Sequence, residues 1–219
     1  MTTARTREIT SFIVMDVLEK ACEMERDGID IVHLEIGEPD FDMPQCVKQA
    51  ACQALDDGYT HYTHSLGLLE LREAICEYYL ATYSVRVDPE NIIVCSGTSP
   101  AMFMLFSALV EAGDEVIISD PHYACYPNFI KFVGGIPVMV PVFEEDGFQY
   151  RPSAIKENLC EKTKGIFINY PSNPTGNLIS TDRLEAIAKL GPHVISDEIY
   201  HGLVYEGKEH SILEFTDRA

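Results

Sequence analysis

Apolar residues along this chain follow two spacings, and stretches with one spacing alternate with stretches of the other. Short apolar runs rich in β-branched residues are typical of buried strands, and they occur at residues 92–95, 115–118, 136–140, 165–168 and 193–195. Longer stretches place their apolar residues on one face, which predicts helices. Strands that alternate with helices predict right-handed crossovers and a mostly parallel sheet with helices on both faces. The pattern therefore predicts a three-layer α/β fold.

The predicted helices have polar or glycine residues at their ends. They span residues 9–27, 44–58, 68–83, 101–112, 152–159 and 180–190, and one more runs to about residue 133. Ser180 or Thr181 is the expected N-cap of the last helix, and Gly58 and Gly113 are expected at C-termini. Residues 31–36 alternate between apolar and polar side chains, which predicts a half-buried strand.

The amino-acid composition narrows the classes of molecule that the protein is expected to bind. The chain has 219 residues, of which 46% are hydrophobic, and 16 Lys and Arg against 35 Asp and Glu give a net charge of −19. This charge argues against nucleic acid and anionic membranes as partners. No apolar run approaches the ~18 residues of a membrane span, and residues 1–7 are too polar for a signal peptide, so we expect a cytoplasmic protein.

Neither the cysteines nor the histidines indicate a metal site. The seven cysteines are scattered and contain no C-x-x-C pair, which argues against a disulfide framework and a zinc site. His61 and His64 share a loop, but no carboxylate or cysteine stands at ligand spacing from them. We therefore predict no metal.

Two predicted strands end in polar residues that can meet at one ligand. Asn173 follows the run at 165–168, and Asp197 follows the run at 193–195. In open α/β sheets, ligands bind beyond the carboxyl ends of the strands. We therefore expect an amide and a carboxylate to face the same crevice.

A second ligand site is predicted where the run at 92–95 leads into a helix. Unpaired N–H groups and the helix dipole make a helix N-terminus suitable for a phosphate, and Gly97 permits close backbone approach. The Ser96 and Thr98 hydroxyls can add donors. Alternatively, Ser99 is simply the N-cap with Pro100 in the first turn, which is compatible with phosphate binding.

These motifs together resemble a known family. N-x-P-x-N-P-T-G at residues 169–176 and D-E-I-Y at residues 197–200 are similar to motifs of the fold-type I pyridoxal-phosphate aminotransferases, as is S-G-T at residues 96–98. The sequence contains no G-x-G-x-x-G, which argues against a nicotinamide enzyme. The resemblance implies the large domain of a pyridoxal-phosphate-dependent transferase.

The resemblance assigns roles around the cofactor ring. Asp197 would keep the pyridine nitrogen protonated, and Tyr123 would stack on the ring, with His122 as the second choice. Asn173 and Tyr200 would hydrogen-bond the phenolic oxygen, and Asn173 would also contact the substrate. Asp197 and Tyr200 are thus the expected catalytic residues. Without the other motifs, the simplest interpretation of Asp197 would be a carboxylate at the end of a strand that caps the following turn.

The resemblance also assigns roles to residues nearer the N-terminus. Ser96, Gly97 and Thr98 match the phosphate cup of the family. Tyr62 matches a tyrosine that reaches the phosphate of the other subunit, which implies a homodimer. Gly37, in the motif G-E-P-D-F, would line the substrate pocket through its backbone.

The resemblance further implies an enzyme that transfers an amino group between an amino acid and a 2-oxo acid. Residues 1–40 would form an arm, a helix and a strand of the small domain, and residues 41–219 would belong to the large domain. We expect the large domain to be incomplete at the C-terminus, because no lysine here matches the family's Schiff-base motif. A lyase or decarboxylase on the same fold, or a non-catalytic truncated product, is the alternative.

Overall fold

The computed structural model describes residue 3 and residues 5–219. Its helices are α1 (Arg5–Glu8), α2 (Ile13–Arg26), α3 (Gln45–Asp56), α4 (Leu69–Tyr83), α5 (Thr98–Leu109), α6 (Tyr126–Phe132), α7 (Pro152–Glu157) and α8 (Thr181–Ala188). Its strands are β1 (Glu115–Asp120), β2 (Ile136–Pro141), β3 (Thr163–Asn169) and β4 (His193–Asp197). No helix in this described part is long and apolar enough to cross a bilayer.

The four strands form one sheet in the order β2-β1-β3-β4, and every neighbouring pair is parallel. Parallel neighbours need a crossover connection, and helices α6, α7 and α8 supply segments of these crossovers. The predicted α/β class with a mostly parallel sheet is confirmed. The predicted helices and strands from residue 98 onward are also confirmed, with ends that differ by a few residues.

The core lies on both faces of the sheet because successive strand residues point in opposite directions. Ile117 and Ile166 belong to a buried cluster that helices α7 and α8 complete. Their neighbours Val116 and Phe167 belong to a second cluster, which includes buried residues of α5 and α6. The sheet is therefore the middle layer of three, as the alternating pattern predicts.

Two predicted strands are wrong. Residues 31–36 and 92–95 contain no assigned strand, although Ile92 has extended backbone angles of φ −110° and ψ 128°. A strand requires a neighbour that pairs with its N–H and C=O groups, and neither segment pairs with another strand in the described chain. Val32 and Leu34 are 81% and 89% exposed, so the alternating pattern there buries no apolar face.

Helix α5 begins earlier than predicted. Its first residue is Thr98 rather than Ala101, and its N-cap is Gly97 rather than Ser99. Pro100 fits within the first helical turn because N–H groups there have no intrahelical partner to lose. Thr98 is therefore the first residue of the helix and Gly97 its N-cap, and Ser96 directly precedes them.

Arg72, on helix α4, is almost completely buried. Its Nη1 donates hydrogen bonds to the carbonyl oxygen of Pro89 at 2.8 Å and to the carboxylate of Glu90 at 3.0 Å, and these bonds hold the side chain in place. A buried guanidinium requires such acceptors to offset the loss of water. Arg72 thus joins α4 to the 3₁₀ turn Pro89–Asn91.

The chain divides into two compact units. One unit is Ser11–Leu68, and the other is Leu69–Ala219 together with the described part of Met1–Thr10. The second unit contains the whole sheet. The division into residues 1–40 and 41–219 remains a prediction about the domains of the family.

Within the unit Ser11–Leu68, His33 lies between two carboxylates. Its Nδ1 is 2.6 Å from Glu35 Oε1, and its Nε2 is 3.0 Å from Glu25 Oε1. The hydrogen bonds to Glu35 and then to Glu25 raise the pKa of His33 from 6.5 to about 9. The raised pKa means that this contact stabilises the unit fully below pH 6.5 and that its contribution disappears as the pH rises through about 9.

We therefore expect the His33 ring to titrate far above the ordinary histidine range. An NMR pH titration of the ring protons should give a midpoint near 9, and Glu35→Gln should lower it because the larger of the two hydrogen-bond contributions is removed. A His33 midpoint near 6.5 would contradict the contact.

Candidate functional site

The site is built where β3 and β4 end side by side. In the register of these two parallel strands, Asn169 is the partner of Asp197. The amide of Asn169 donates from Nδ2 to the main-chain oxygen of Asp197 at 2.9 Å. Asn169 is buried, so its amide keeps the two strand ends together at the point where the sheet stops.

The loop that follows β3 is folded back by the same side chain. Asn169 Oδ1 accepts a hydrogen bond from the backbone N–H of Asn173 at 2.8 Å. The amide of Asn173 in turn donates to the Tyr200 hydroxyl at 3.3 Å. Two of the predicted ring-binding residues, Asn173 and Tyr200, therefore lie in contact beside the end of β4.

The carboxylate of Asp197 is oriented by two donors. The Tyr126 hydroxyl donates to Oδ2 at 2.8 Å, and the backbone N–H of Ile199 donates to Oδ1 at 3.2 Å. Burial, and then the charge of Asp197, raise the pKa of Tyr126 far above its ordinary value. Tyr126 therefore stays protonated and remains a hydrogen-bond donor to this carboxylate.

Tyr123 lies three residues before Tyr126, the first residue of α6, and the two rings meet edge to face with centroids 5.3 Å apart. Burial raises the pKa of Tyr123 to about 12, with smaller contributions from Cys125, Tyr200 and Asp197. Tyr123 therefore shares the electrostatic environment of the two predicted catalytic residues. The ring of His122, in contrast, is held by a hydrogen bond from its Nδ1 to the carbonyl oxygen of Ser119 at 2.9 Å.

The predicted phosphate cup lies at the N-terminus of α5. Gly97 has φ +131°, a conformation that favours glycine, and a Cβ built on it would meet only Pro100 Cδ at 4.0 Å. Among the residues that the structure describes, no side chain caps this helix. The N–H groups of Thr98 and Ser99 belong to the first turn, where they have no intrahelical acceptor, so they are available to an anion.

The two remaining predicted residues lie in the other compact unit. Tyr62 and Gly37 belong to Ser11–Leu68, and the Tyr62 side chain is fully exposed. A Cβ built on Gly37 would meet nothing within 4 Å. Their roles in phosphate and substrate binding stay predictions. Among the described residues, no three His, Cys, Asp or Glu side chains lie close enough together to hold a metal ion.

The residues that support the site were harder to find from the sequence than those that form it. Asn169 was visible only as the first residue of N-x-P-x-N-P-T-G, and its contacts show that it positions both Asp197 and Asn173. Tyr126 carried no motif. Its one signal in the sequence is its position three residues after Tyr123, and in the structure the two rings are in contact at the start of α6.

Comparison with known proteins identifies the family of the chain. Residues 29–218 match the family described as aminotransferase class I and II. The chain is 43% identical over 217 residues to a (5-formylfuran-3-yl)methyl phosphate transaminase of Methanocaldococcus jannaschii, covering 99% of this chain and 56% of the relative. It is 39% identical over 219 residues to an aspartate aminotransferase of Bacillus subtilis, covering 98% of this chain and 56% of the relative.

Solved structures give the same result. The aspartate aminotransferase from Thermus thermophilus with maleate superposes with a TM-score of 0.94 at 38% identity, over 98% of this chain and 57% of that one. An alanine aminotransferase from Pyrococcus furiosus superposes with a TM-score of 0.93 at 34% identity, over 99% of this chain and 57% of that one. The chain spans about half the length of the curated relatives it matches. By sequence and by fold, it belongs to the class I and II aminotransferase family.

Proposed function

We propose that the protein transfers an amino group between an amino acid and a 2-oxo acid, with pyridoxal 5'-phosphate as its cofactor. The observation that carries this proposal is the contact of Asn173 with Tyr200 beside Asp197 at the carboxyl ends of two parallel strands. An amide, a phenol and a carboxylate at this edge match the polar atoms of a pyridoxal ring.

The residues present fit this cofactor in charge as well as in position. An ionised Asp197 can only accept hydrogen bonds, and its oxygens are already oriented by the hydroxyl of Tyr126 and the backbone N–H of Ile199. The N-terminus of α5 offers N–H groups and the positive end of the helix dipole to a phosphate. In a chain of net charge −19, such a local anion site is what a phosphorylated cofactor requires.

When bound, pyridoxal phosphate supplies a ring that accepts electrons as a proton leaves the α-carbon of the substrate. In our proposal, Asp197 holds a proton on the ring nitrogen, and Tyr126 keeps the carboxylate pointed at that atom. Tyr200 and Asn173 hydrogen-bond the phenolic oxygen, and Tyr123 packs against the ring face. Asn173 and the backbone of Gly37 orient the substrate.

The phosphate would be held by two groups of residues. Ser96, Gly97 and Thr98 lie at the N-terminus of α5, and Tyr62 would come from a second subunit, so we propose a homodimer. We also propose that the protein works in the cytoplasm, in amino acid biosynthesis. The negative charge of the chain supports a partner that is neither nucleic acid nor an anionic membrane.

A direct experiment is to supply the complete protein with pyridoxal 5'-phosphate and 2-oxoglutarate and to test a panel of amino donors. The panel includes aspartate and alanine, because relatives named for both are similar to this chain. We expect glutamate to form with at least one donor. Decarboxylation or elimination without amino transfer to 2-oxoglutarate would contradict the proposal.

The phosphate cup gives a separate prediction. Gly97→Val should weaken retention of pyridoxal 5'-phosphate about tenfold or more, because φ +131° is strained for a side chain that would also occupy the space a phosphate needs. Thr98→Ser keeps the hydroxyl and serves as the matched control. Equilibrium dialysis measures both, and equal retention by the two variants would count against this cup.

A further inference from the structure

We propose that Glu198 is a positioning residue whose largely buried carboxylate fixes the turn that carries Asp197 and Tyr200. Its consequence for cofactor binding rests on the function proposed above, whereas its effect on the turn does not. Glu198 follows Asp197 directly, and its side chain is only 14% exposed. A carboxylate that is largely removed from water must be compensated by donors.

The donors converge on one oxygen of Glu198. Oε1 accepts hydrogen bonds from the Ser196 hydroxyl at 2.9 Å, the Ser211 hydroxyl at 3.2 Å and the backbone N–H of Ile212 at 2.9 Å. Ser196 belongs to β4, and Ile212 begins a 3₁₀ turn. Glu198 therefore joins the end of the strand to a segment that is distant from it in sequence.

That distant segment is itself anchored in the core. Ile212 is 2% exposed and belongs to the same buried cluster as Ile166 and Val194. The turn Ile212–Glu214 is closed by a capping box formed by Ser211 and Glu214. Glu198 thus binds to a segment that is packed into the core and closed by its own hydrogen bonds.

His201 adds a second anchor at the end of the same turn. Its backbone N–H donates to the main-chain oxygen of Glu198 at 3.0 Å, which closes the turn. A hydrogen bond of 2.6 Å joins its Nδ1 to the hydroxyl of Tyr83 on helix α4, and its ring lies 3.7 Å from Glu198 Oε2. Glu198 and His201 therefore alternate along the turn with Asp197 and Tyr200, which contact the site.

The residues of this turn make two kinds of contact, and this explains how one short turn can hold two site residues in place. Asp197 and Tyr200 contact Tyr126 and Asn173, whereas Glu198 and His201 bind the scaffold. Replacement of Glu198 would leave Asp197 and Tyr200 in the chain, but the turn that carries them would be free to move. A small displacement of this kind is enough to weaken a site built from directed hydrogen bonds.

The test measures backbone amide exchange of the cofactor-free protein by NMR. In Glu198→Ala, the amides of Ile199, His201 and Leu203 should exchange about tenfold faster, while the amide of Ile117 in the central strand β1 stays unchanged. Glu198→Gln keeps the size of the side chain and should give a smaller increase in these exchange rates. This variant decides the test if the alanine variant does not fold. Glu157→Ala, which removes an exposed carboxylate on α7, should change none of these rates.

The proposal is overturned if Ile199 exchanges at the same rate in the wild type and both Glu198 variants, or if the increase is uniform through the sheet, which is the sign of a general loss of stability. Added pyridoxal 5'-phosphate then separates the two claims. We expect Glu198→Ala to bind it about tenfold more weakly than the wild type and Glu157→Ala equally well. No binding by the wild type would contradict the proposed function alone, whereas equal binding by Glu198→Ala would contradict the positioning role alone.

Discussion

Replacement of Asp197 by alanine is expected to lower the turnover of the complete protein by about 100-fold or more while leaving the fold intact. The carboxylate is the group we assign to the ring nitrogen, and each ~1.4 kcal/mol of lost transition-state stabilisation costs a factor of about ten in rate. Asp197 lies at the end of β4 rather than in either core cluster, so its loss removes little packing. Steady-state kinetics with the best amino donor measures the effect.

Two further variants make this prediction specific. Asp197→Asn keeps the shape and can still accept from Tyr126, so a loss of turnover similar to that of the alanine variant would assign the effect to the charge. Asp217→Ala removes an exposed carboxylate near the end of the chain and should leave turnover unchanged. Near-normal turnover by Asp197→Ala would refute the assignment of this residue.

Phe106→Ala should destabilise the protein by about 3–5 kcal/mol. Phe106 is completely buried on α5, and its ring lies 6.2 Å from that of Phe167 on β3. Its removal leaves a cavity between the helix and the sheet, and this helix carries the predicted phosphate cup at its N-terminus. Urea unfolding measures the change in the free energy of unfolding.

Met104→Ala is the matched control, because Met104 lies on the same helix and is 48% exposed. It should change the free energy of unfolding by no more than about 0.5 kcal/mol. If both variants lowered the free energy of unfolding by the same small amount, α5 would not pack on the sheet as described.

The sheet could be predicted from the sequence because its two central strands, β1 and β3, are buried on both faces. Runs such as Val116, Ile117 and Ile118 are apolar without alternation, and such runs indicate parallel strands covered by helices. The same rule failed at residues 92–95, since apolar β-branched residues favour an extended chain but do not create a partner strand. Pairing depends on residues far away in sequence, which a local pattern does not contain.

The site was predictable to the extent that its residues lie within motifs. Asn173, Asp197 and Tyr200 stand in two short segments that a strand edge brings together, and the structure places Asn173 against Tyr200. Tyr126 lies in no motif, and Glu198 lies within D-E-I-Y without a role that the motif assigns to it. Both act through hydrogen bonds to residues 71 and 14 positions away, respectively. Such contacts are set by packing of the helices and turns on the sheet.

We propose that Asp197, Asn173, Tyr200 and the N-terminus of α5 form one pyridoxal-phosphate site. A crystal structure of the protein with pyridoxal 5'-phosphate tests it most directly. We expect the ring nitrogen within about 3 Å of an Asp197 carboxylate oxygen, and a phosphate oxygen within about 3 Å of the backbone nitrogen of Thr98. A cofactor bound elsewhere, or with its ring nitrogen turned away from Asp197, would contradict the account.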